Sequence, residues 1–157
     1  MNRTQIQQEL AKLPLLSGLD NEFLLFLGEC AQERKLNKGD VLFRQGERAT
    51  AFYVVRSGEL LIEIPAISGP SLEVQRLCDG KVLGWSWLVS PYKWTFQARA
   101  ERETTLLEFD AAAILARCEE DPAFGYAMMK RFSSLMSERL EAARRRMMDE
   151  WNPPGFA

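Results

Sequence analysis

The chain has 157 residues, of which 46% are hydrophobic and 27% charged, and its formal net charge is -2. These values fit one globular domain large enough to bury a core, and they supply no global attraction to nucleic acid or an anionic membrane. Histidine is absent, which removes Ser-His-Asp and Cys-His catalysis, His-ligated zinc and imidazole proton shuttling. The expectation is a non-enzyme with no metal site. Apolar runs such as Phe23 to Leu27 are too short to span a bilayer, and the N-terminal MNRTQIQQELAKLP lacks the apolar core of a secretory signal. Cys30, Cys78 and Cys118 are odd in number and contain no C-x-x-C pair. They read as buried or half-buried free thiols, and the chain as cytoplasmic.

In chain order, Thr4 to Leu13 carries Ile6, Leu10 and Leu13 at helical spacing, with Thr4 as N-cap, and stops at Pro14. After Gly18-Leu19-Asp20, the stretch NEFLLFLGECAQ repeats the pattern, with Asp20 capping and Phe23, Leu24 and Leu27 on one face. From Arg34 the period changes. VLF, FYVVR, ELLIEI, LEVQRL, KVLG, TFQARA and TTLLEF alternate with turns built around Gly39, Gly46, Gly58, Gly69 and Gly80. Seven or eight short strands separated by turn residues predict an all-β barrel or jelly roll and not a βαβ sheet.

Beyond Phe109 the helical period returns. Asp110 can cap AAAILARCEE, and Asp121-Pro122 opens a segment with apolar residues from Phe124 through Trp151. Spacings of three and four predict one helix of roughly seven turns or more, ended by Asn152-Pro153-Pro154-Gly155. Its methionines (Met128, Met129, Met136, Met147, Met148), with Phe124 and Phe132, make a stripe wider than a barrel alone needs, which favours a homodimer through the 121–151 helix. Arg131, Arg139 and Arg144-Arg145-Arg146 are interleaved with Glu138, Glu141, Asp149 and Glu150, a solvated face laced with ion pairs.

The stretch GDVLFRQGERATAFYVVRSGELLIEI, from Gly39 to Ile64, lays out turn, strand, glycine turn, strand, turn and strand as a compact meander. Gly39, Asp40, Leu42, Phe43, Gln45, Gly46, Tyr53, Val55, Gly58 and Leu60 resemble the glycine signature of the cyclic nucleotide-binding domain family, found in catabolite-activator-type regulators and in kinase and channel regulatory domains. The resemblance implies a mainly β fold: an eight-stranded jelly roll with short N-terminal helices and a long C-terminal helix. One domain would cover 1–157, with helices in 1–30, the barrel in 32–109, a phosphate cassette in 84–95 and helices in 110–151. It also implies a regulatory role in which ligand occupancy shifts the C-terminal helix. In the bacterial regulators a helix-turn-helix domain follows that helix; here the chain stops at Ala157, so sequence-specific DNA binding is not expected.

The cassette position is held by GWSWLVSPYKW, which places three of the four tryptophans between Trp85 and Trp94. The family pattern is Gly-Glu-Leu, followed by Arg and small residues. Its glycine and helix start present N–H groups to the phosphate, the Glu accepts from the ribose hydroxyl, and the Arg grips the phosphate. Gly84 is kept, but Trp85 stands at the acid, and Lys93 or Trp94, followed by Thr95, stands at the arginine. A lysine is a point charge without the bidentate fork. The candidate ligand-binding residues are Gly84, Trp85, Ser86, Trp87, Leu88, Lys93, Trp94 and Thr95. Two readings stand. The indoles of Trp85, Trp87 and Trp94 plug the cleft, leaving a dimeric interaction module; or they stack on a flat ligand such as cAMP or cGMP, with Lys93 and the N–H groups of Ser86 and Trp87 taking an anion. A metal-binding jelly-roll enzyme is a third class, disfavoured by the missing histidines.

Overall fold

A computed structural model describes residues 2–151. Helix α1 spans Arg3–Ala11. Its cap is Asn2 and not Thr4: the Asn2 side chain accepts from Gln5 N at 2.8 Å, and the Gln5 side chain accepts from Asn2 N in return. A 3-10 turn at Pro14–Leu16 leads into α2, Asn21–Glu29. Asp20 and Asp110 stand at helix starts without a side-chain capping bond, whereas Asp121 accepts from Phe124 N. Arg56 of the segment 51–57 reaches Glu9 of α1 at 2.9 Å, a partly exposed pair that ties the N-terminal helix to the sheet.

Eight strands follow: β1 Ala31–Leu36, β2 Val41–Phe43, β3 Ala51–Ser57, β4 Leu60–Ile64, β5 Leu72–Leu77, β6 Val82–Leu83, β7 Gln97–Ala100 and β8 Thr104–Asp110. They form two four-stranded sheets, ordered β1-β8-β3-β6 and β2-β7-β4-β5, with antiparallel pairing throughout. This is the expected jelly roll, a double sheet whose inner faces bury alternate residues. β3 and β4 are interior strands, each paired on both edges, and are buried along nearly their whole length. β1 is the strand that the apolar pattern did not single out. Its sequence AQERKL is polar and largely exposed, since it pairs only at the sheet edge with β8.

Gly58 shows why a turn glycine is required here. Its φ is +108°, and a Cβ would lie 2.6 Å from the Glu103 carbonyl oxygen and collide with Thr104. The turn therefore tolerates neither a side chain's conformational preference nor its volume.

Helix α3, Ala111–Glu120, precedes α4, Pro122–Glu150. Phe124, Gly125, Met128, Phe132 and Leu135 of α4 are buried, so one face of the predicted stripe packs on its own barrel. The other face is not covered: Met129, Leu140 and Met147 are 44%, 65% and 69% exposed. The expected stop at Asn152 to Gly155 lies outside the described residues. Arg144, Arg145 and Arg146 form ion pairs with Glu141 or Glu150 three or four residues away, as expected of a solvated face. Arg131 and Arg139, expected on the same face, instead donate to the Ser17 and Val82 carbonyls, because α4 packs against those segments. All three cysteines are free; Cys30 and Cys118 are half-buried, but Cys78, in the turn that follows β5, is exposed. Among the described residues no helix is long and apolar enough to cross a membrane.

Candidate functional site

The segment from Gly84 to Thr95 links β6 of one sheet to β7 of the other. Gly84 has φ +109° and is buried, as a backbone that must bend sharply out of a strand requires. Residues 86–88 make a single turn, closed by the Leu88 N–H donating to the Trp85 carbonyl at 2.9 Å. The second half is zipped to the β2–β3 connection. Ala49 N donates to Tyr92 O at 2.8 Å, Trp94 N to Glu47 O at 2.9 Å, and Gly46 N to Trp94 O at 2.8 Å. Gly46 is itself at positive φ, which sets the backbone direction of that turn.

The three indoles occupy three different environments. Trp94 is 3% exposed and lies parallel to Phe43, with ring centroids 3.7 Å apart and planes 5° apart. Phe96 and Tyr53 complete the group at 6.2 and 6.4 Å. The far edge of the Trp94 ring rests on Gly84: a Cβ there would be 2.7 Å from Cη2. The indole thus covers the glycine whose open face the resemblance assigns to a phosphate. Trp87 is fully buried. Its Nε1–H donates to the Gly84 carbonyl at 3.0 Å, and its ring packs on Phe52 at 5.3 Å and edge-on against Phe132 of α4 at 5.1 Å. Trp85 is half-buried, against Phe96 at 6.1 Å, and the Arg139 guanidinium of α4 stands 5.8 Å over its ring.

The sequence-predicted residues therefore divide. Gly84, Ser86, Trp87, Leu88 and Trp94 are buried, and Trp85 is half-buried. Lys93 and Thr95 are exposed, and the Lys93 backbone bridges to Arg48 on the outer side. Alternation decides this. Burial alternates along residues 93–96: Trp94 and Phe96 are inside, and Lys93 and Thr95 are outside. Of the two residues that could stand at the family's arginine, the interior receives the indole. Sequence reasoning named Phe43 and Tyr53 only as fold markers. Their place around Trp94 follows from the pairing of β2 with β7, which no local pattern announces. Among the arginines of α4, Arg139 is the one brought to the segment.

Burial, reinforced by the nearby Glu108 carboxylate, pushes the Tyr53 phenol up to about 12. Burial also holds the Arg139 guanidinium below its ordinary value, the cost of taking a charge out of water without a carboxylate partner. Among the described residues no group of three or more Cys, Asp or Glu side chains is placed to hold a metal ion.

A double sheet, a glycine-initiated connection between β6 and β7 and a long C-terminal helix define a jelly-roll domain. Residues 33–121 match the family described as the cyclic nucleotide-binding domain, and the chain belongs to that family, which is typical of regulatory and sensory proteins. A Rhodopseudomonas palustris protein (strain ATCC BAA-98 / CGA009) with a potassium-channel designation is 30% identical over 114 residues, which cover 72% of this chain and 27% of that protein. The chain thus spans about a quarter of the length of this curated relative. Among solved structures, a cyclic nucleotide-binding domain from Methylobacillus flagellatus KT superimposes with a TM-score of 0.79 at 14% identity, covering 98% of this chain and 86% of that one. The catabolite activator protein of Thermus thermophilus does so with a TM-score of 0.69 at 26% identity, covering 85% and 61%.

Proposed function

We propose that the chain is a non-catalytic regulatory domain whose nucleotide cleft is filled by its own aromatic side chains, and that it works through α4 as a dimeric interaction module. One observation carries this reading: Trp94 lies flat on Phe43 with its edge against Gly84, at 3% exposure. A cyclic phosphate seated on that glycine would have to expel a stacked indole. It would find neither the carboxylate nor the arginine that the family supplies, because Trp85 stands at the first place and Lys93 is exposed. The three unpaired thiols suit a reducing, cytoplasmic setting.

The dimer rests on the apolar ridge of α4. Met129, Met136, Leu140 and Met147 recur at intervals of seven, four and seven residues, the spacing of a helix–helix seam. Met129, Leu140 and Met147 are exposed on the protomer, and a second copy of α4 would cover them.

A second reading is favoured by the Trp87–Phe132 contact. The segment and α4 share a buried aromatic joint at 5.1 Å, so displacement of Trp94 by a ligand would be felt by the helix. Isothermal calorimetry with cyclic AMP, cyclic GMP and cyclic dinucleotides separates the two. Heat-silent titrations to millimolar concentration are expected; saturable binding in the micromolar range would replace the filled cleft by a nucleotide sensor.

A further inference from the structure

A groove of about 570 Å³ opens between α4, the 3-10 turn Pro14–Leu16 and the β5–β6 connection. It lies away from the Trp94 interior. Leu15, Leu77 and Leu135 give it an apolar lining, while Lys81, Lys130, Arg131 and Arg139 bring four cations against one carboxylate, Glu138. Arg76 also borders it but is already engaged by Glu59 at 2.8 Å and by Glu73. Among the described residues, none of the other four cations forms an ion pair. Like charges gathered in a concave, partly dry site raise the potential there and attract a counter-charge.

Two of the guanidiniums are held in place by carbonyls. Arg131 Nη2 donates to Ser17 O at 2.9 Å, and Arg139 Nη2 donates to Val82 O. Each guanidinium has five N–H donors, so neither is satisfied by a single carbonyl. The Arg131 Nε–H is buried and has no partner. A donor shut away from water and left unpaired is a standing free-energy cost that a bound acceptor would remove.

We propose that this groove is a binding site for a small phosphorylated molecule, its phosphate held by Lys81, Lys130, Arg131 and Arg139 and its apolar or aromatic part lying over Leu77 and Leu135. Volume and concavity suit a small molecule: ligand clefts run to about 300–1,000 Å³. Charge points to a phosphomonoester or pyrophosphate and away from a cyclic phosphodiester, which brings only one negative charge to four cations. Helical geometry keeps the site available in a dimer. Residues 130, 131, 134 and 138 of α4 face away from the ridge of Met129, Leu140 and Met147, at 3.6 residues per turn. The site does not depend on whether the Trp94 interior binds anything.

Calorimetric titration of the full chain with pyrophosphate, and separately with 5′-AMP, tests it at low and physiological ionic strength. One-to-one saturable binding that weakens with salt is expected for at least one probe. Lys81→Ala combined with Lys130→Ala, both at exposed positions, should weaken it by about tenfold or more with unchanged melting, and Lys130→Glu should weaken it beyond Lys130→Ala. Trp85 fluorescence should respond on binding, because the Arg139 guanidinium stands over its ring. The absence of saturable heat at millimolar probe, or an affinity unchanged in the double variant, overturns the proposal. So does binding that Trp94→Ala alters and the lysine changes do not.

Discussion

Trp94→Ala tests the filled interior most directly, and its magnitude follows from the packing. The ring is 3% exposed and stacks on Phe43 at 3.7 Å. Truncating a buried Trp to Ala typically costs about 3–5 kcal/mol, the lost transfer energy plus the cavity left behind. For a chain of this size each kcal/mol lowers Tm by about 2–4 °C, so a fall of roughly 6–20 °C is expected. Gly84→Ala sharpens the test. Its Cβ would lie 2.7 Å from Trp94 Cη2 at a φ of +109°, which combines overpacking of about 1–3 kcal/mol with a backbone penalty of about 1–2 kcal/mol. In the Trp94→Ala background the overpacking disappears and only the backbone penalty remains. Urea denaturation of the four proteins should therefore show the double variant more stable than the sum of the single losses predicts, by about 1–3 kcal/mol. Additivity within about 0.5 kcal/mol, or a Trp94→Ala loss below about 1 kcal/mol, would refute the placement of the indole on Gly84. Opening the interior should not by itself create a nucleotide site. Two missing charge-assisted bonds, at about 1.5–3 kcal/mol each, leave affinity about two to four orders of magnitude below that of a site holding both.

Leu140→Glu, at a position 65% exposed on the protomer, should shift sedimentation from dimer to monomer while changing protomer stability by no more than about 0.5 kcal/mol; identical sedimentation of the two proteins would remove α4 as the interface. Gly58→Ala should cost about 2–5 kcal/mol, since the added Cβ meets the Glu103 carbonyl at 2.6 Å in a left-handed backbone; melting within a degree or two of the parent would mean that the turn can relax. The Tyr53 phenol is pushed up to about 12 in the folded chain, against about 10 when unfolded. Its neutral form therefore contributes stability that is whole below about pH 10 and is lost as pH rises toward about 12. Tyr53→Phe should remove the late step in the phenolate absorbance titration and flatten the loss of stability over that window. A titration that keeps the late step assigns it to another residue.

The jelly roll was legible because its cues are local. Glycines at turns and short β-branched or aromatic runs each report on the few residues around them, and Asp121-Pro122 announces a helix start in the same way. β1 escaped because AQERKL lies at a sheet edge and carries almost no apolar signal. The cap at Asn2 escaped because Thr4 offers an equally good oxygen, and only the chain's path chooses between them. For the site, the sequence by itself determined that three indoles would stand in the segment 84–95, with no acid and no arginine inside that segment; the arginine that reaches Trp85 comes from α4. Which indole turns inward was decided by the tertiary structure, through the register of β2 on β7 and the zipper between residues 46–49 and 92–94. The same holds for α4. Its stripe is one continuous pattern in sequence, yet the fold buries Phe124, Met128 and Phe132, leaves Met129 and Leu140 outside, and turns Lys130 and Arg131 toward a third element. Periodicity records which residues share a helix face, but what that face meets depends on chain segments fifty or more residues away.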